Sequence, residues 1–168
     1  MDRILVCLVI LQFITENVIL ISLGLILIGF KPKLKSVLIV ALIESLVSCL
    51  IHCLFSVPGI NVFFQLPILV VLTSCFFKLS LMHAALASLL GLAVTALTEM
   101  ASNYLIPMFT GISIQQIIQD PMLHLLFPLP EFFFLTTMIL VFMHYDITLF
   151  DIRELKDLER LKDYDGTE

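Results

Sequence analysis

Charge is what this sequence has least of. Only 14% of its 168 residues are Asp, Glu, Lys or Arg, while 60% are hydrophobic. A soluble domain carries roughly 25% charged residues, so an ordinary water-facing surface is excluded. Lys and Arg number nine against 14 acids. They form no basic patch, which excludes a nucleic-acid partner. Cysteine is sparse too. Cys7, Cys49, Cys53 and Cys75 all fall inside apolar runs, where thiols serve as small hydrophobes rather than as a disulfide framework. Also missing are a His-Glu-x-x-His helix, a Gly-rich phosphate loop and a Gly-x-Ser-x-Gly turn, the patterns of zinc hydrolases, nucleotide enzymes and serine hydrolases. The chain reads as a binding or regulatory protein rather than an enzyme, and no cofactor or metal is expected.

What is present is a series of long apolar runs. About 20 residues rising 1.5 Å each cross the hydrocarbon core of a bilayer. Five transmembrane helices are predicted, at about 4–28, 35–56, 60–77, 80–106 and 131–149. The fold class is therefore all-α: a polytopic helical bundle over residues 1–150, then a charged tail over 151–168. The first run is expected to be retained rather than cleaved as a signal peptide. It is long, it contains Gln12, Thr15, Glu16 and Asn17, and no small-residue cleavage site follows it. With five spans, Lys31, Lys33, Lys35, Lys78, Arg153, Lys156, Arg160 and Lys162 share one side, and Arg3 alone is on the other. Lys and Arg accumulate on the cytoplasmic side. The N-terminus is thus expected outside a bacterial cell membrane and the C-terminus inside.

Two segments lie between or beyond the spans. In 108–130, Ser113 and Gln116 have capping-box spacing, and Ile114, Ile117 and Ile118 share a helical face. An interfacial helix at about 113–120 is expected on the outer surface, closed by Asp120-Pro121. A sixth span there would put three glutamines and an aspartate in hydrocarbon. The tail "DIRELKDLERLKDYDGTE" pairs opposite charges at i,i+3 and i,i+4, which supports a helical extension of the fifth span. Leu155, Leu158 and Leu161 in that tail are candidate contacts for a protein partner or for a second copy in a homodimer.

Polar side chains within the spans are the candidate site. An ionisable residue at mid-membrane is costly and normally faces a bundle interior. Glu44 and Ser48 are four residues apart, as are Ser48 and His52, giving one polar stripe. Gln12 and Glu16 share a face of the first run, and Ser88, Thr95, Glu99 and Ser102 follow one side of the fourth. No Lys or Arg lies deep in a span. Gln12, Glu16, Glu44, Ser48, His52 and Glu99 are therefore candidates for binding a ligand or ion, with the acids of three helices expected to meet in one seam. The alternative is that they only hydrogen-bond helix to helix. Cys49, His52 and Cys53 offer too few ligands for zinc, and no third group to orient a Cys–His pair. Glu131, in "LFPLPEFFFL", is expected at the outer boundary, where charge costs little.

The order of these features carries a resemblance. A "GFKPKLK" turn, a Pro-Gly turn, a "KLS" turn, a long fourth helix and "LFPLPE" before a fifth helix run into a charged segment. This resembles the membrane-embedded sensor region of Gram-positive histidine kinases whose kinase half has an ATPase-like fold. The sequence ends at Glu168 without a kinase domain or phosphoacceptor region. The resemblance thus implies a non-enzymatic sensor-like or regulatory module that acts through a cytoplasmic or membrane partner. The alternative is a small transporter component, such as the substrate-binding subunit of a vitamin uptake system, for which six spans would be expected.

Overall fold

The structure, a computed structural model, describes residues 3–54, 60–112, 116 and 120–150. It is helical throughout, with no strand among the described residues. The helices are α1 (Arg3–Leu27), α2 (Leu34–Leu54), α3 (Ile60–Phe77), α4 (Leu81–Thr110), the short α5 (Pro121–Leu126) and α6 (Leu129–Tyr145). Each predicted apolar run forms a helix. Among the described residues, three helices are long and apolar enough to cross a membrane: α1 from Ile10, α2 and α4. The described apolar parts of α3 (Phe64–Phe77) and α6 are shorter. Spanning length is therefore reached by three helices, not by all five predicted.

Backbone geometry explains where the helices stop. Gly29, Lys78 and Asp146 are left-handed, at φ 76°, 53° and 50°. After each, an N–H reaches back five residues: Phe30 to Leu25 O, Leu79 to Ser74 O and Ile147 to Phe142 O. This closure satisfies carbonyls that the helix end would otherwise orphan. It ends α6 at Tyr145, so the expected continuation to 149 is not helical. In α4 the helix instead runs past the expected stop at Pro107. Proline forfeits one N–H bond, but its own carbonyl accepts the N–H of Gly111, the left-handed cap. At Asp120-Pro121 helical Gln116 gives way to non-helical Asp120, whose N–H donates to the Gln116 carbonyl at 3.0 Å. The same pair starts α5, with Asp120 Oδ1 accepting the Met122 N–H at 2.9 Å and Pro121 in the first turn, a position where its missing N–H is harmless. Of the expected interfacial helix at 113–120, Gln116 is described, as helical, along with Asp120. The remainder of that helix, and the tail with Leu155, Leu158 and Leu161, lie outside the described residues.

Helices α1 to α4 form a ring, each packed on the next and α4 closing against α1, while α6 docks on the far side of α1. Two cores result. Leu20, Ile21 and Leu25 of α1, with Ile28 just past its end, meet Val37, Val40, Ala41, Leu69, Phe77 and Ala87 of the ring. Ile19, Leu23 and Leu27 meet Leu135 of α6. Helix α1 is thus covered on two sides, which an all-round apolar helix requires. Glycine sets the closest approach. A Cβ built on Gly91 would sit 2.5 Å from the Leu20 carbonyl oxygen, and one on Gly24 would fall still closer to that of Ala87. The α1–α4 backbones therefore touch, as small residues permit in membrane bundles. Gly91 is thus the crossing point of α4 on α1.

One end of the bundle collects the lysines. The turn after α1 holds Lys31, Lys33 and Lys35, and Lys78 follows α3, whose Phe77 ring meets Phe30 edge to face at 5.8 Å. The chain leaving α6 arrives at the same end. There the N–H groups of Leu149 and Phe150 both donate to the Leu27 carbonyl, at 2.8 and 3.1 Å. Lys31 Nζ lies 2.5 Å from Asp146 Oδ1.

Candidate functional site

The expected seam of three acids does not form as drawn. Glu99 on α4 lies near enough to act by charge on Glu16 of α1, and both act on Glu131 at the start of α6. Glu44 stands apart, fully buried on α2. Burial alone sets its environment, with no charged neighbour acting on it. The physical reason is the ring order. Helix α2 contacts α1 and α3, whereas α4 and α6 meet α1 on its other sides. Glu131 takes the place in the acidic group that sequence reading gave to Glu44. A charge next to Pro130 looked like an interfacial anchor, and only the docking of α6 on α1 brings it to Glu16.

The acidic group borders a groove. Leu11, Gln12 and Thr15 of α1 face Leu129, Pro130, Phe132, Phe133 and Thr136 of α6 and Leu126 of α5 across a space of about 910 Å³. Gln12 is one turn from Glu16, and Glu131 is flanked by two groove residues. The lining is mostly apolar, with Gln12, Thr15 and Thr136 as its polar atoms. The Thr15 hydroxyl is already committed to the Leu11 carbonyl at 2.9 Å. The ion pair Lys31–Asp146 lies at the opposite end, and every described lysine lies at that end with it. Arg3, the one base near the groove end in sequence, has no described side chain. The groove itself is lined by apolar groups and by Gln12, Thr15 and Thr136, and the acids Glu16 and Glu131 adjoin lining residues without lining it themselves.

The other polar groups divide into satisfied and unsatisfied. Asn17 donates through Nδ2 to Ser45 Oγ at 3.1 Å, and Ser45 donates to the Ala41 carbonyl at 2.7 Å. This buried bond links α1 to α2 one residue from Glu16 and Glu44, so the two acids do lie at similar depth. At the head of α4, Ser80 accepts the His83 N–H and its hydroxyl meets the His83 ring, a helix cap rather than a catalytic pair. Ser48 Oγ, Ser88 Oγ and both Glu44 carboxyl oxygens are buried without a hydrogen-bond partner. His52 and Cys53 have no described side chain, and Cys49 and Cys75 are exposed. Among the described residues no three His, Cys, Asp or Glu side chains gather to hold a metal.

At the lysine end, the Lys31 ammonium beside Asp146 holds that carboxyl below its ordinary value, by hydrogen bond and by charge. Comparison with protein families, curated proteins and solved structures finds no match to this chain.

Proposed function

We propose that the chain is a non-enzymatic integral membrane protein that serves as a sensor-like or regulatory module, and that it takes a cationic amphiphile in the α1–α6 groove. In this reading all five long helices cross the bilayer. Helices α3 and α6 supply 18 and 17 residues, at the short end of the roughly 17–25 that span. The lysine end faces the cytoplasm, because Lys and Arg accumulate there, and the groove opens toward the outside. Helices α1 and α6 run parallel, so the end of α6 and the departing tail sit beside the cytoplasmic turn of α1. A ligand that pushes α6 against α1 at the groove is felt at the Leu27 carbonyl and at Lys31. The tail then passes that change to a partner protein. The resemblance to kinase sensor regions agrees with this order of parts, but the reading rests on the groove.

The observation that carries it is the apolar groove between α1 and α6, with Glu16 one turn from its Gln12 and Glu131 between its Pro130 and Phe132. Glu16 is exposed and Glu131 half-buried, so both carboxylates can meet the cationic head of a ligand whose apolar chain lies in the groove, and opposite charge favours that binding. The test uses the full chain in lipid nanodiscs, a fluorescent long-chain alkylammonium as probe and the matching alcohol as its uncharged control. Saturable binding of the ammonium is expected, weakened about tenfold or more by Glu131→Gln, equivalent to about 1.4 kcal/mol. Equal binding of the alcohol, or no change in the variant, defeats the proposal.

A further inference from the structure

The acid that the groove leaves unused is Glu44. It is 0% exposed, and neither of its carboxyl oxygens has a partner. An ionised carboxylate in such a place is too costly to persist without a counter-charge or donors. Among the described side chains, the elements packed on α2 supply no cation. Helix α1 presents Asn17, which is bonded to Ser45. Helix α3 has no Asp, Glu, Lys, Arg or His between Phe64 and Phe77. Across the ring, α4 presents Ser88, with His83 toward the lysine end and Glu99 turned to the α6 side. On α2 itself, His52 lies two turns away and its side chain is outside those described.

The nearby hydroxyls behave unusually. In this bundle Thr15, Ser45, Thr95, Thr98, Thr110 and Thr137 each donate to the carbonyl four residues back. Ser48, one turn from Glu44 on the same face, has a buried Oγ that makes no such bond, and neither does that of Ser88. A hydroxyl that stays off its own backbone is free to serve a neighbour. A hydroxyl can both donate to a carboxylate and accept from a carboxylic acid.

We propose that Glu44 and Ser48 form a proton-binding site inside the α1–α4 ring, separate from the groove, in which Glu44 holds its proton and Ser48 accommodates both its forms. The site takes a proton rather than a metal cation, because one carboxyl and one adjacent hydroxyl fall short of the six or more oxygens that hard cations gather.

Infrared spectroscopy of the full chain in nanodiscs tests this. The carboxylic-acid C=O band is compared in the parent protein and in Glu44→Gln across a pH series. A band present in the parent and absent from the variant is expected. Ser48→Ala is expected to move the pH at which that band disappears by about one unit, a tenfold change in proton concentration. No difference between parent and Glu44→Gln at any pH overturns the proposal. Loss of the band on adding sodium at fixed pH overturns it in favour of a sodium site. If Glu44→Gln does not fold, Ser48→Ala carries the test, and a band unmoved by that change overturns the pairing.

Discussion

The two ends of this bundle are made of equally apolar helices, yet they pack in opposite ways. Toward the lysine end, the last third of α1 is almost wholly buried, from Leu23 to Ile28. Gly24 and Gly91 let α1 and α4 touch there, and left-handed caps close α1, α3 and α6. Toward the other end, much of α4 lies exposed. Leu97, Met100, Met108 and Phe109 are 67, 70, 70 and 82% exposed. In water such a patch would mark an interface, but in a bilayer lipid covers it without cost. The acids Glu16, Glu99 and Glu131 and the α1–α6 groove all lie toward this looser end. Tight packing fixes the frame at one end, and the room left at the other is where a ligand could act.

The sharpest way to break this contrast is to fill the crossing point. Gly24→Ala or Gly91→Ala puts a methyl group against a carbonyl of the neighbouring backbone, which can give way only by moving a helix. Overpacking of this kind costs about 1–3 kcal/mol, and the upper part of that range is expected because the obstacle is backbone. Ala101→Leu, on the exposed length of α4, should change stability by less than about 0.5 kcal/mol. Thermal unfolding of the three variants in one detergent checks the ranking. Equal effects at both ends would dissolve the distinction between a packed and an open half.

The frame was more legible in the sequence than the site. Five apolar runs became five long helices, and the side on which Lys31, Lys33, Lys35 and Lys78 fall follows from counting turns. Helix ends were less legible. Nothing local marks Lys78 or Asp146 as left-handed, since that conformation is set by the chain's path after the helix rather than by side-chain preference. Pairings between distant helices were the least legible. Gly24 and Gly91 each look like an isolated small residue until α1 lies on α4. Glu131 looked like a boundary charge until α6 docked on α1. Glu44 was visible as a carboxylate in an apolar run, but its separation from Glu16 depends on ring order, which composition does not encode. Asn17 and Ser45, the neighbours of the two acids, carry the α1–α2 contact.

A milder test addresses that contact. Asn17→Leu removes the donor to Ser45 and leaves a serine that still bonds its own helix through Ala41. Interhelical hydrogen bonds within membranes average about 0.6 kcal/mol, so a loss near that figure is expected. Combining it with Ser45→Ala should add little more, because both changes delete one bond. A double variant that is fully additive in unfolding experiments would show that Asn17 and Ser45 act independently. The α1–α2 junction would then owe its closeness to apolar packing alone.

The smallest effect is expected at the clasp between Lys31 and Asp146, since both side chains are well exposed and surface ion pairs contribute little. Its value lies in its pH dependence. Asp146 is held below its ordinary value of 3.8 by Lys31, so the folded state favours the ionised carboxyl. The sign follows: the contribution is complete above the ordinary value and is lost as pH falls through the lowered one. Spin labels at exposed positions in the α1–α2 turn and beyond Asp146 should therefore report a constant separation from neutral pH down to about 4. The distribution should broaden only in stronger acid. Asp146→Asn should give the broad distribution at every pH, and high salt should move the parent toward it. If the parent stays narrow in strong acid, the two hydrogen bonds to Leu27 hold the junction without the ion pair. The route from the groove to the tail would then run through the backbone of α1 rather than through charge.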